Sequence, residues 1–82
     1  MATFLGFHDM GGSTTDEAMG KNWGTYKAAC DELGIKAQHV HFNAGAGRAF
    51  CVTEADSADQ VQKAHQEAGV PLIEVLEVQT AE

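Results

Sequence analysis

Two strand-like segments joined by a glycine-flanked turn occupy the middle of the chain and constrain its fold most. The first segment spans residues 35–43 and the second spans 48–54, and Gly45-Ala46 fits a two-residue hairpin turn between them. Because the turn fixes which residues face each other, the two strands are predicted to pair antiparallel in one register. The paired residues in this register are His41 with Phe50, Val40 with Cys51 and His39 with Val52.

The predicted hairpin has two faces of different chemistry, because side chains two residues apart on a strand point to the same side. One face carries two imidazoles beside apolar side chains, and the other face is mostly apolar. The first face consists of His39, His41, Phe50, Val52 and Glu54. The second face consists of Val40, Phe42, Ala49, Cys51 and Thr53, and we expect the helices to cover it.

A strand and a helix are predicted before the hairpin. Residues 2–8 are rich in aromatic and apolar side chains, as is typical of a strand. Thr14 and Glu17 have the spacing of a capping box, which predicts that a helix begins there. Apolar residues at three- and four-residue intervals continue to Leu33, and Gly34 is a suitable helix C-cap.

A helix and a strand are also predicted after the hairpin. Ser57 and Gln60 repeat the capping-box spacing, and Gly69 and Pro71 end the helix that follows. Residues 72–79 predict the last strand. The order β-α-β-β-α-β is that of the ferredoxin-like fold. We therefore predict an α+β domain over 1–79, with an antiparallel sheet, two helices on one face and a short tail at 80–82.

The sheet face without helices is predicted to be apolar. Phe4, Phe50 and Val52 are expected on it, which is more apolar surface than a monomer normally leaves in water. A chain of 82 residues also buries only a thin core. We therefore predict a homodimer that packs sheet to sheet in a barrel-like assembly, with the histidine face at or near the interface.

The charge and the cysteines narrow the class of protein. A formal net charge of -7 argues against partners such as nucleic acids or anionic membranes and favours cations. No signal peptide is predicted, and no segment approaches the about 18 apolar residues of a membrane span. The two cysteines lie far apart in sequence and form no paired motif, which favours a cytoplasmic protein with reduced thiols.

Three histidines on the predicted sheet are candidate metal ligands. His39 and His41 are expected as neighbours on one face, and imidazole is a ligand for zinc, copper and nickel. His8 lies toward the end of a strand predicted to run parallel to that of His41, about two strand spacings away. His8 and His41 are therefore expected to share an ion, or to bind one each with a carboxylate such as Asp9 or Glu54.

The fourth histidine and the cysteines are assigned different roles. His65 is predicted to be a half-buried histidine near a helix end, favoured by the helix dipole when protonated, with a peripheral metal site as the alternative. Cys30 and Cys51 are predicted to be small hydrophobic residues of the core. The sequence offers neither of them a neighbouring base.

Most of the chain, from about Ala28 to Val78, resembles a known family. The residues that carry the resemblance are Cys51-Val52, Glu54-Ala55, His65, Ala68-Gly69, Pro71 and Ile73-Glu74-Val75. They are similar to a family of small bacterial proteins, formerly of unknown function, some of which are described as nickel-binding. The resemblance implies a ferredoxin-like fold, a dimer and nickel binding without catalysis. It also implies a histidine at His65, whereas His8, His39 and His41 depart from the family pattern.

Two functions are compatible with these observations, beside a third option, an interaction module without a ligand, that is favoured if none of the histidines converge. The first is a cytoplasmic, non-catalytic protein that sequesters or buffers Ni²⁺ through His8, His39, His41 and His65, with binding that weakens as pH falls through about 6.5. Copper would bind such ligands at least as well, so the resemblance alone selects nickel. The alternative is a small dimeric enzyme of the monooxygenase type. Its ligand pocket would lie between sheet and helices, near Trp23, Tyr26 and His41.

Overall fold

The computed structural model describes residues 1–82 and has the predicted order of elements. Every predicted strand and helix is present, with ends that differ from the predictions by one or two residues. The elements are β1 (Ala2–Asp9), α1 (Asp16–Leu33), β2 (Lys36–Asn43), β3 (Arg48–Ala55), α2 (Ala58–Ala68) and β4 (Glu74–Val78). The four strands form one antiparallel sheet in the order β2-β3-β1-β4, so the predicted ferredoxin-like α+β fold is confirmed.

Capping residues define both ends of α1. Thr15, and not the predicted Thr14, is the N-cap, and its hydroxyl accepts a hydrogen bond of 3.1 Å from the Ala18 backbone N–H. Asp16 is therefore the first residue of the helix, where its negative charge interacts favourably with the helix dipole. At the other end Gly34 has φ 72°, the left-handed conformation that glycine adopts without steric cost.

The ends of α2 follow the sequence signals more closely. The Ser57 hydroxyl accepts a hydrogen bond from the Gln60 backbone N–H, and the Gln60 side chain accepts one from the Asp56 backbone N–H. Gly69 closes the helix with φ 69°. Neither α1 nor α2 combines the length and the apolar character that a crossing of a lipid bilayer requires.

The central hairpin has the predicted register. His41 pairs with Phe50 and His39 with Val52, and the Gly47 N–H donates to the Ala44 carbonyl across the turn. A β-bulge interrupts the ladder between Ala37 and His39. The bulge was not predicted.

The helices cover one face of the sheet and form the core with it. The predicted covered face of β3 is confirmed, since Ala49, Cys51 and Thr53 are all buried. Phe4 is also buried, with 3 % of its surface exposed, so its predicted place on the opposite face is wrong. The core cluster consists of Phe4, Tyr26, Ala29, Cys30, Ile35, Cys51, Ala55, Val61 and Ala64.

The opposite face of the sheet, which we call the open face, is partly apolar and exposed. Phe50 is 38 % exposed and Leu76 is 49 % exposed. The Phe7 and Phe50 rings meet edge to face with centroids 5.4 Å apart. His39 and His41 lie on this face, as predicted, with ring centroids 4.9 Å apart.

Gly6 allows β1 to approach the rest of the core closely. It pairs with Cys51 on β3, and a Cβ at this position would lie 2.7 Å from the Cys51 Sγ and 3.6 Å from the His65 ring. Real Cβ atoms do not approach other atoms as closely as 2.7 Å, whereas 3.6 Å is an ordinary contact. The absence of a side chain at Gly6 therefore lets β1, β3 and α2 bring their functional groups together.

We expect Gly6→Ala to lower the free energy of unfolding by about 1–3 kcal/mol, because the added methyl group overpacks the space around the Cys51 sulfur. Urea denaturation at pH 7 measures the change. Gly20→Ala is the matched control: Gly20 lies within α1 with nothing within 4 Å of an added Cβ. This control should stabilise the protein by about 0.5–1 kcal/mol. Equal stability of the two variants would contradict the packing argument.

Candidate metal centre

Three side chains from three different elements meet beneath the helices. His8 comes from β1, Cys51 from β3 and His65 from α2, and all three are buried. One ligating atom of each residue lies within 4.8 Å of the other two. We call this cluster the buried triad. Its convergence depends on the antiparallel pairing of β1 with β3 and on the packing of α2 against both strands.

Backbone carbonyls fix the tautomer of both imidazoles. The His8 Nδ1 lies 2.7 Å from the Pro71 carbonyl oxygen, and the His65 Nδ1 lies 2.7 Å from the Val61 carbonyl oxygen. A carbonyl oxygen only accepts hydrogen bonds, so each Nδ1 must carry the proton and donate it. Each Nε2 then carries no proton and presents a lone pair. An N–H held by a carbonyl is the usual support of a metal-binding imidazole.

The protons within the buried triad do not satisfy all of its acceptors. The His8 Nε2 lies 3.3 Å from the Cys51 Sγ, and the His65 Nε2 lies 3.5 Å from the same sulfur. One thiol proton serves only one of these two lone pairs at a time. A metal ion bound to both nitrogens and to the thiolate would satisfy all three atoms. The donor set therefore fits a transition-metal ion.

Burial keeps the two imidazoles neutral. Desolvation lowers the pKa of His65 to about 4, against the opposing effect of its hydrogen bond to Val61, and the nearby His8 lowers it further. Desolvation also lowers the pKa of His8, partly offset by the hydrogen bond to Pro71. Neutral imidazole is the form that binds metals, so both rings are ready to ligate at neutral pH.

The thiol of the buried triad is protonated in the absence of metal. Desolvation raises the pKa of Cys51 to about 11, although the Gly6 backbone N–H favours the thiolate. A metal ion bound to this sulfur would displace the proton. Binding at the triad is therefore coupled to the loss of a thiol proton, not to deprotonation of the histidines.

An aromatic side chain and a cleft adjoin the buried triad. The Tyr26 ring stacks on the His65 ring with centroids 4.0 Å apart, and its hydroxyl lies 2.6 Å from the Thr53 hydroxyl. A narrow, mainly apolar cleft, with about 30 Å³ of enclosed space, connects the triad with Trp23 and Phe42. The cleft gives the three ligating atoms a route toward the surface between the sheet and the helices.

The four histidines form two separate pairs. His8 pairs with Ala49 on the covered face, whereas His41 pairs with Phe50 on the open face. The expectation that His8 and His41 share an ion within one chain is therefore wrong. Asp9 accepts a hydrogen bond from the Gly11 N–H and Glu54 accepts one from the Gln38 side chain, and neither belongs to the buried triad.

His65 and Cys51 differ from their sequence predictions. His65 is fully buried, with 2 % of its surface exposed, so the prediction of a half-buried histidine favoured in its protonated form is wrong. Cys51 is a core residue as predicted, but it also has two imidazole neighbours that the sequence did not reveal. The missed signal was its place opposite Gly6, two residues from His8, once β1 is aligned with β3.

The fold and the site together define a ferredoxin-like α+β domain with a buried His-Cys-His group that could hold a metal ion. Residues 4–78 match the family described as "Nickel responsive protein SCO4226-like", and the chain belongs to this family. The resemblance seen in the sequence is thereby confirmed.

The structure is also similar to a solved one. The crystal structure of SCO4226 from Streptomyces coelicolor A3(2) matches with a TM-score of 0.89, over 99% of this chain and 100% of that chain. The sequence identity is 22%, so this likeness supports the fold alone. Comparison with curated proteins gives no significant match.

The metal-free protein should lose stability as pH falls from about 6.5 to about 4. The pKa of His65 is lowered in the folded state, so the unfolded chain binds more protons in this window. One such proton changes the free energy of unfolding by about 1.4 kcal/mol per pH unit. Urea denaturation in the presence of a chelator measures this slope.

We expect His65→Gln to flatten the slope between pH 6.5 and 4. His39→Gln should preserve it, because this exposed substitution leaves the buried pair in place. The same slope in His65→Gln as in the wild type would mean that other groups cause the acid sensitivity.

Proposed function

We propose that this protein binds Ni²⁺ in the buried triad and that it sequesters or buffers the ion without catalysing a reaction. The observation that carries the proposal is the convergence of two Nε2 lone pairs and one sulfur, with each Nδ1 proton held by a backbone carbonyl. Such an arrangement is preorganised, because the imidazoles do not need to turn or lose a proton before they ligate.

Nickel is chosen over other ions because of the family. Two imidazoles and a thiolate suit zinc, copper, cobalt and nickel alike, and copper binds most divalent sites more tightly than nickel does. The description of the family as nickel responsive favours nickel as the physiological ion. The chain supplies only three ligands in the triad, so water or another small donor would complete the coordination sphere.

The proposal includes a cytoplasmic location and a homodimer. A thiol that must stay reduced to bind the ion suits a reducing compartment. The net charge of -7 disfavours nucleic acid as a partner and leaves metal ions as the charged species it attracts. The exposed apolar residues of the open face support pairing of two copies through that face.

Two of the histidines named from the sequence remain candidate ligands at a different place. His8 and His65 belong to the buried triad, and Cys51 joins them as the third ligand. His39 and His41 have no third ligating group of their own chain beside them. We retain this pair as ligands of a separate ion.

A second candidate function rests on the cleft. Its mainly apolar walls, which include Trp23 and Tyr26, suit a small organic ligand beside the triad, although its enclosed space of about 30 Å³ would have to widen to admit one. His41, which the sequence predicts in such a pocket, lies on the other side of the sheet. An enzyme of the monooxygenase type would require a substrate in this cleft. Retention of a small organic molecule through purification would favour this alternative.

We expect nickel titration of the metal-free protein to give one tight ion per chain with a sulfur-to-nickel charge-transfer band. Cys51→Ser should abolish the band and lower the affinity for this ion at least tenfold, because a hydroxyl is a poor ligand for nickel. Cys30→Ser is the matched control, since Cys30 is equally buried but lies outside the triad. A band that survives in Cys51→Ser would overturn the assignment.

Nickel binding at the triad should release about one proton per ion at pH 7, because the pKa of Cys51 is raised to about 11 and both imidazoles are already neutral. The apparent affinity should rise about tenfold per pH unit between pH 6 and 8. Calorimetry in buffers of different ionisation enthalpy counts the protons. An affinity that changes only below pH 6.5 would indicate ligation by histidines of ordinary pKa.

A further inference from the structure

Three rows of side chains cross the open face of the sheet, perpendicular to the strands. Each row takes one residue from β2, β3, β1 and β4 in that order. The first row is His41, Phe50, Phe7 and Glu74. The second row is His39, Val52, Leu5 and Leu76. The third row is Lys36, Glu54, Thr3 and Val78.

The first row has a metal-binding group at each end, and the second row has one at its β2 end only. The residues between the ends of both rows are apolar. His39 and His41 lie on the β2 edge, and Glu74 lies on the β4 edge. These edges are three strand spacings apart, about 14 Å, so His41 and Glu74 of one chain do not share an ion. The aromatic contact of Phe7 with Phe50 occupies the centre.

This face is complementary to itself about a twofold axis parallel to the strands. Such an axis turns a second copy so that its β4 lies over β2 of the first, and each row stays level with the same row of the partner. The apolar centres then meet, and the partner's Glu74 comes opposite His41. Packed sheets lie about 10 Å apart with their side chains interdigitated, a separation that imidazole and carboxylate side chains bridge together.

The size and charge of the face suit this arrangement. The molecule measures 33 × 30 × 18 Å. A broad face of this size accommodates the about 800 Å² that each partner buries in a typical stable interface. A bound divalent ion would offset the negative charge that Glu74 of each copy brings into the interface.

We propose that His39 and His41 of one chain and the partner subunit's Glu74 form a divalent-metal site between two copies of the protein, twice per dimer. The imidazoles are already adjacent, with ring centroids 4.9 Å apart. The site is incomplete in a single chain and is separate from the buried triad. It rests on the proposed function for the choice of nickel and for the pairing of two copies through the open face. Metal binding at this site would stabilise the dimer.

The first test measures nickel binding and dimerisation together, by calorimetry and sedimentation velocity. We expect the wild type to bind one ion per chain that produces no sulfur charge-transfer band. The dissociation constant of its dimer should be at least tenfold lower with nickel than with chelator. His39→Ala/His41→Ala should lose this ion and the effect of nickel on the dimer. The band from Cys51 reports the buried triad separately, so failure of one site is distinguishable from failure of the other.

Glu74→Gln and Glu77→Gln form a matched pair. Both residues are exposed acids on β4, but Glu77 pairs with Phe4 and therefore points away from the open face. Glu74→Gln should lower the affinity for the interfacial ion at least tenfold, and Glu77→Gln should leave this affinity unchanged. Full binding in Glu74→Gln would overturn the proposal and would indicate that two histidine pairs meet each other instead.

The decisive experiment mixes the two variants that lack the site. A mixed dimer of His39→Ala/His41→Ala with Glu74→Gln retains one complete set of ligands, contributed by both chains. Random exchange makes half of the dimers mixed, so about one quarter of the wild-type capacity for the interfacial ion should return. Recovery of binding requires ligands from two chains. No recovery, with mixed dimers verified by mass spectrometry, would overturn the proposal.

Discussion

The alternation of side chains along β3 separates the molecule into two chemical environments. Ala49, Cys51 and Thr53 point toward the helices, and Phe50 and Val52 point the other way. Every neighbouring strand inherits this division through its register with β3. His8 therefore points toward the helices, where it meets His65 of α2, whereas His39 and His41 are exposed on the open face, so the two pairs offer an ion different surroundings.

The buried pair illustrates how a fold tolerates polar groups in its core. Each imidazole loses its hydration on burial, a cost that lowers the pKa of both rings. A hydrogen bond from each Nδ1 to a backbone carbonyl recovers part of that cost and at the same time aims Nε2 at the sulfur. The same two bonds thus stabilise the metal-free core and orient the ligands. One of the two Nε2 atoms is left without a hydrogen-bond donor at any time, and a bound metal ion would satisfy both.

The sequence predicted those features that depend on neighbours along the chain. The hairpin register and the helix ends follow from local turn and capping chemistry, although the choice between Thr14 and Thr15 as the cap depended on one hydrogen bond. The face of Phe4 and the neighbours of Cys51 depend on pairing between β1 and β3, which are more than 40 residues apart. No turn fixes that register, so the buried triad could not be predicted from the sequence.

The bulge in β2 determines which face of the sheet carries the exposed histidine pair. Ala37 packs against the core opposite Thr53, yet His39, two residues later, lies on the open face opposite Val52. In a regular strand these two residues would share a face. The extra residue, Gln38, is absorbed by the bulge, which lets Ala37 and His39 lie on opposite faces. Without the bulge, the same sequence would turn either the start of β2 or its two imidazoles to the other side. A local irregularity of the backbone thus decides whether this chain presents its exposed histidine pair to other molecules or directs it toward the helices.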